Sequence, residues 1–201
     1  MGNWCIGGDG NRLDEFIVER NTLSPTKRKS SSALTKADKG RQARYHRDMP
    51  DILFLSMSDY HKVSYLYEGC FGTVFSAAQV NGNGTVALKC FGYSACTPVE
   101  EDIRKEVCVL SAMKGVDGIV QIQGVIMDPP QGLIPGKKIP KEFPIIVTEF
   151  LGGGDLYYYM HRNGVLSEKK ISDIFRGIIL ALDGFHSRGY IHRYVTPPPP
   201  P

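Results

Sequence analysis

The chain has 201 residues, 24 of them basic and 21 acidic, so the net charge is +3; with 42% hydrophobic and 22% charged residues it has ordinary globular composition for one to two domains. No run approaches the roughly eighteen consecutive apolar residues of a spanning helix, and the amino terminus lacks the apolar core of a secretory signal. Five cysteines (5, 70, 90, 96 and 108), odd in number and without a Cys-x-x-Cys, argue against a disulfide scaffold or zinc site and for a reducing, cytoplasmic setting.

In chain order, residues 20–47 come first, with nine Lys/Arg against Asp38 alone, a local charge of +8. Such a segment buries too little apolar surface to offset its ordering entropy, which predicts a disordered basic arm over 1–48. It lacks interleaved aromatics, so specific nucleic-acid binding is not expected. Strand patterns follow at Val63–Tyr67, Thr73–Val80 and Thr85–Cys90, the last two joined by Asn81-Gly82-Asn83-Gly84, a hairpin signal. Thr97-Pro98 then opens a helix, with Val99, Ile103, Val107, Leu110 and Met113 at helical spacing and Gly115 as its stop. Two more strands are expected near Gln121–Met127 and Ile145–Phe150, separated by a loop with five prolines. Ser167 caps a long helix whose stripe is Ile171, Ile174, Phe175, Ile178, Ile179, Leu182 and Phe185. A proline run, Pro197–Pro201, closes the chain.

Three signals carry chemistry. Gly69 and Gly72, between two strands, let backbone amides approach phosphate oxygens without an intervening Cβ. Val86-Ala87-Leu88-Lys89 puts an ammonium at the end of an apolar strand. Glu106, on the following helix, is a carboxylate able to pair with Lys89 and fix its direction. Taken singly, each reads first as its bland counterpart: a hairpin turn, a solvated lysine and a surface glutamate.

Together and in this order they resemble the protein kinase family over about Asp59 to Arg193. Gly69, Gly72 and Val74 match the glycine-rich loop, with Tyr67 in place of its first glycine, and Val86-Ala87-Leu88-Lys89 matches Val-Ala-Ile-Lys. Ile146–Leu156 resembles the gatekeeper and hinge, and Leu182–Arg193 the end of helix E and the start of the catalytic loop. The hinge and helix-E wording is most similar to the calmodulin-dependent and calcium-dependent kinases, which implies Ser/Thr specificity.

The resemblance implies an α+β fold: a small lobe of five antiparallel strands plus helix C to about residue 148, a hinge at 149–155, and a partial helical large lobe with helices D and E over 156–189. It implies that Leu66, Val74 and Ala87 roof an adenine, that Thr148 is the gatekeeper, and that backbone groups of Glu149 and Leu151 bond the adenine edge. Lys89, paired with Glu106, would hold ATP phosphates, and Asp155 would sit near the ribose. After His192-Arg193 the family has an aspartate that accepts the substrate hydroxyl's proton; here Tyr194 stands there, and a phenol with a pKa of roughly 10 does not serve as that base. The family's later magnesium ligands have no counterpart in residues 194–201, a Pro-rich stretch outside the family pattern. The expectation is therefore an amino-terminal kinase fragment, inactive alone, binding ATP weakly at best and without magnesium ligands. A membrane-associated scaffold and a truncated product without selected function stay open.

Met1-Gly2-Asn3-Trp4-Cys5 resembles the start of many calcium-dependent protein kinases, which implies myristoylation at Gly2 and palmitoylation at Cys5, although Ile6 departs from the usual Ser/Thr and an unmodified start stays open. With the basic arm this would give an anionic membrane surface as partner, at the inner face of a membrane. The apolar stripe on helix E, lacking the helices it would pack against, implies a protein partner there.

Overall fold

Five strands pair into one antiparallel sheet of order β1-β2-β3-β5-β4, where β1 is Tyr60–Gly69, β2 Gly72–Gln79, β3 Thr85–Phe91, β4 Ile122–Ile126 and β5 Ile145–Glu149. The computed structural model describes residues 36–69, 72–82, 84–91, 100–127 and 143–192. The described residues also form four α-helices: α1 Lys36–Asp48, α2 Glu100–Ala112, α3 Leu156–Asn163 and α4 Glu168–His186. They form two compact units. One joins the described residues up to Lys114 to Val120–Phe150; the other joins Gly115–Ile119 to the described residues from Leu151 onward. The expected α+β small lobe, a five-stranded antiparallel sheet with one helix after the third strand, is what the first unit contains.

The sheet's register follows from its turn. The Asn81–Gly84 connection sets Ala78 opposite Thr85, and Gln79 N donates to Gly84 O at 3.0 Å. Successive side chains along a strand then point to opposite faces. On one face Phe75, Ala77, Val86, Leu88, Cys90, Ile126, Ile145 and Val147 form a buried cluster with Tyr60. On the other, Phe91, Ile122, Val125 and Ile146 join Ile103 and Val107 of α2. Each large side chain so buried contributes about 1.5–3 kcal/mol, so the sheet is held from both sides.

The edge at β4 is covered. Leu55 N donates to Val125 O and Val125 N to Leu53 O, both at 2.9 Å, so residues 53–55 lie against β4 as a short parallel addition. This approach requires Gly124: a Cβ there would meet Leu53 O at 2.5 Å.

One expectation is corrected here. Residues 36–48, read as the end of a disordered arm, form α1. Tyr45 is fully buried and Met49 and Ile52 are buried beside it, in the same cluster as Ile103 and Val107. The charge of the segment hid Tyr45, the core residue of α1, which docks the helix together with Met49 and Ile52 just past its end while the rest of α1 is largely solvated. Gly2 and Cys5 lie outside the described residues, as do Thr97, Arg193, Tyr194 and the run Pro197–Pro201.

In the second unit, the Asp155 carboxylate accepts from Tyr158 N at 2.9 Å and caps α3, while Ser167 Oγ accepts from Lys170 N and caps α4. Residues 115–119 pack on α4, where a Cβ on Gly184 would meet Val116 Cγ1 at 2.5 Å. Within the described residues the expected stripe of α4 is largely uncovered: Ile171, Phe175 and Ile179 are exposed, and Ile174, Ile178, Leu182 and Phe185 are half-buried.

Candidate nucleotide site

The site is built on the face of the sheet that α2 shares. Val74 pairs with Lys89, and Lys89 with Ile146; Ser76 pairs with Ala87, and Ala87 with Thr148. Directly paired residues share a face, so Val74, Ala87, Lys89 and Thr148 stand on one surface. The opposite side chains of β3, Val86, Leu88 and Cys90, are buried and anchor the strand. Cys90 is taken out of ordinary thiol chemistry, since burial pushes its pKa up to about 12.

Lys89 Nζ donates to both carboxylate oxygens of Glu106, at 2.6 and 2.8 Å, across the space between β3 and α2. Both side chains are about one-third exposed, 31% and 35%. A pair with that access to water adds little stability, about 0–1 kcal/mol. Its consequence is directional: the carboxylate holds the ammonium at one place, and the Phe91 ring lies 5.2 Å from it. An ammonium so fixed, beside small Ala87 and apolar Val74, can meet an anionic phosphate next to a flat apolar group.

The glycine-rich segment divides its work. A Cβ on Gly72 would fall 2.2 Å from Cys90 O and 3.1 Å from Phe91 Cα, both backbone atoms of β3. Strand pairing alone therefore demands this glycine. A Cβ on Gly69 would meet only Gly72 O, at 3.8 Å, an ordinary contact. Gly69 is the position with room for a ligand to approach the backbone.

Other expected residues fall differently. The register of β1 on β2 shifts between Tyr65 and Tyr67, leaving Leu66 in a bulge; the residue paired with Val74 is Tyr67. Tyr67 thus shares the face of Lys89. Both backbone groups of Glu149 are engaged: its N–H donates to Gln121 O at 3.0 Å, and its carbonyl accepts the Thr148 hydroxyl at 3.1 Å. Its side chain accepts from Gln121 N at 2.8 Å. Gln121 is therefore a hinge anchor that the sequence pattern did not single out. Leu151 and Asp155 belong to the second unit, where Asp155 is a helix cap, a role that its place just before an amphipathic segment could have signalled. Near the catalytic-loop motif, desolvation holds His192 below the ordinary imidazole value, and its ring lies edge-on to Phe185 at 5.8 Å.

Among the described residues, no group of His, Cys, Asp or Glu is arranged to hold a metal ion, and no helix is long and apolar enough to cross a membrane.

The protein kinase domain family model matches residues 60–197. The chain belongs to that family. Within it, the chain is similar to calcium-dependent protein kinases. It is 29% identical over 134 residues to calcium-dependent protein kinase 6 of Oryza sativa subsp. japonica, a match covering 66% of this chain and 22% of that protein. It is 28% identical over 134 residues to calcium-dependent protein kinase 5 of Solanum tuberosum (66% and 23%) and 26% identical over 145 residues to calcium-dependent protein kinase 26 of Arabidopsis thaliana (71% and 28%). The chain thus spans only 22–28% of the length of these relatives. The kinase small lobe accounts for the sheet and for α2, which is its helix C.

Proposed function

We propose that this kinase domain, of Ser/Thr type, binds an adenine nucleotide weakly on the sheet face of Lys89 and that the 201-residue chain does not by itself transfer the phosphoryl group. The observation carrying the first half is the two-oxygen grip of Glu106 on Lys89. The residues fit such a ligand. Lys89 would hold phosphate oxygens, Gly69 leaves the backbone approachable, and Val74 and Ala87 present apolar surface to a base. ATP, when bound, supplies the phosphoryl group; this chain's residues position it. Weakness follows from Tyr67 standing where the family has a glycine, and from Glu149, whose amide is already committed to Gln121.

The second half rests on Tyr194. A phenol at the position of the family's aspartate does not accept a hydroxyl proton at neutral pH. General-base positioning is typically worth about 10²–10⁴ in rate. Incubation of the purified chain with radiolabelled ATP, magnesium and generic protein substrates is expected to give no transfer above background. Transfer abolished by Lys89→Ala would overturn this half of the reading.

A further inference from the structure

The contact between α1 and α2 has a charge pattern. Arg44 Nη2 of α1 meets Glu100 Oε1 of α2 at 3.2 Å, and Asp48 of α1 pairs with Arg104 of α2. The partners are four residues apart on each helix, so one turn of α1 is matched to one turn of α2. The signs are crossed: base to acid at the first contact, acid to base at the second. Sliding α1 by a turn in one direction would set Arg44 against Arg104, and in the other Asp48 against Glu100. Like charges would oppose in either case. Arg104 is further braced by Glu101, at 2.8 Å. Beneath these pairs Tyr45 is fully buried in the cluster that contains Ile103 and Val107. Those two residues flank Glu106 in sequence, on the turn that carries it to Lys89.

We propose that α1 is a register clasp for α2, and that Arg44, Tyr45 and Asp48 are positioning residues that hold Glu106 opposite Lys89. The two charge pairs select one axial position of α2; Tyr45 supplies the apolar contact that keeps the helices together. Charge pairs at this exposure are weak as stabilisers, but a mismatch excludes alternative registers, which is how such patterns specify pairing. The importance of the clasp for ligand binding rests on the nucleotide reading above, whereas the clasp itself does not need a nucleotide to be observed.

The test reads the Lys89–Glu106 pair in the whole chain without ligand. The rate at which an N-hydroxysuccinimide acetate acylates Lys89 is followed by peptide mass spectrometry, with Glu106→Gln as the reference for a lost pair. The reversal Arg44→Glu with Asp48→Arg is expected to raise the Lys89 rate about threefold to tenfold, the range that two weak pairs can give. Lys114, outside the contact, is expected to keep its rate. Adding Glu100→Arg and Arg104→Glu restores crossed signs and is expected to return Lys89 to the wild-type rate. An unchanged Lys89 rate in the reversed variant, or failure of the fourfold variant to restore it, would overturn the proposal. Should the reversed variant not fold, Arg44→Glu is compared with Arg44→Glu/Glu100→Arg by the same labelling, and equal Lys89 rates in those two would overturn it. Absence of ATP binding would leave the labelling result intact, so the two readings fail separately.

Discussion

Replacing Tyr45 by alanine is expected to lower the unfolding free energy of the sheet unit by about 3–5 kcal/mol, the range for losing a buried aromatic side chain. Tyr45 is fully buried among Met49, Ile52, Ile103 and Val107. A cavity there removes contacts from both helices and from the sheet. Tyr45→Phe has the opposite expectation. Among the described residues the buried phenol oxygen has no hydrogen-bond partner, and burial holds its pKa far above the ordinary tyrosine value. Removing an unsatisfied buried hydroxyl recovers a desolvation penalty of about 1–3 kcal/mol, so the phenylalanine variant should equal or exceed the wild type. Urea unfolding monitored by circular dichroism reads both. If residues up to 48 were a solvated arm, neither change would move the midpoint.

The two glycines of the loop are expected to separate stability from binding. Gly72→Ala forces a Cβ to within 2.2 Å of Cys90 O. The obstacle is backbone held in the β2–β3 ladder, so it cannot swing aside as a side chain would. A loss of about 3 kcal/mol is expected, the upper end of overpacking penalties. Gly69→Ala meets nothing closer than 3.8 Å and should lie within about 0.5 kcal/mol of wild type, as open surface changes do. Its effect is expected on nucleotide affinity, through the methyl group set between backbone and phosphate. Denaturation midpoints of the two variants beside their ATP titrations provide the check. Equal stability losses would refute the division of roles.

Much of the sheet was legible because its signals are local. Strands β2 and β3 show in β-rich runs closed by Asn-Gly chemistry, and α4 shows in its stripe and the Ser167 cap. The pairing of Lys89 with Glu106 is different. Their separation of 17 positions gives no periodicity that brings them together, and only the family pattern pointed to it. Helix α1 was missed because a local charge of +8 outweighed its one large buried apolar residue, Tyr45, and a single apolar position sets no helical periodicity. The bulge at Leu66 was not legible, since one extra residue reassigns every face after it and leaves no mark in composition. Thus Tyr67, not Leu66, stands across from Val74.

The central claim is that an ammonium steered by Glu106 makes this sheet face a nucleotide site. Isothermal titration of ATP into the wild-type chain and into Lys89→Ala, each with and without magnesium, tests it most directly. The account predicts wild-type binding weaker than about 1 μM, or roughly −8.2 kcal/mol, unaffected by magnesium and reduced at least tenfold in the variant. Indistinguishable titrations of wild type and Lys89→Ala, submicromolar binding, or binding that needs magnesium would contradict it.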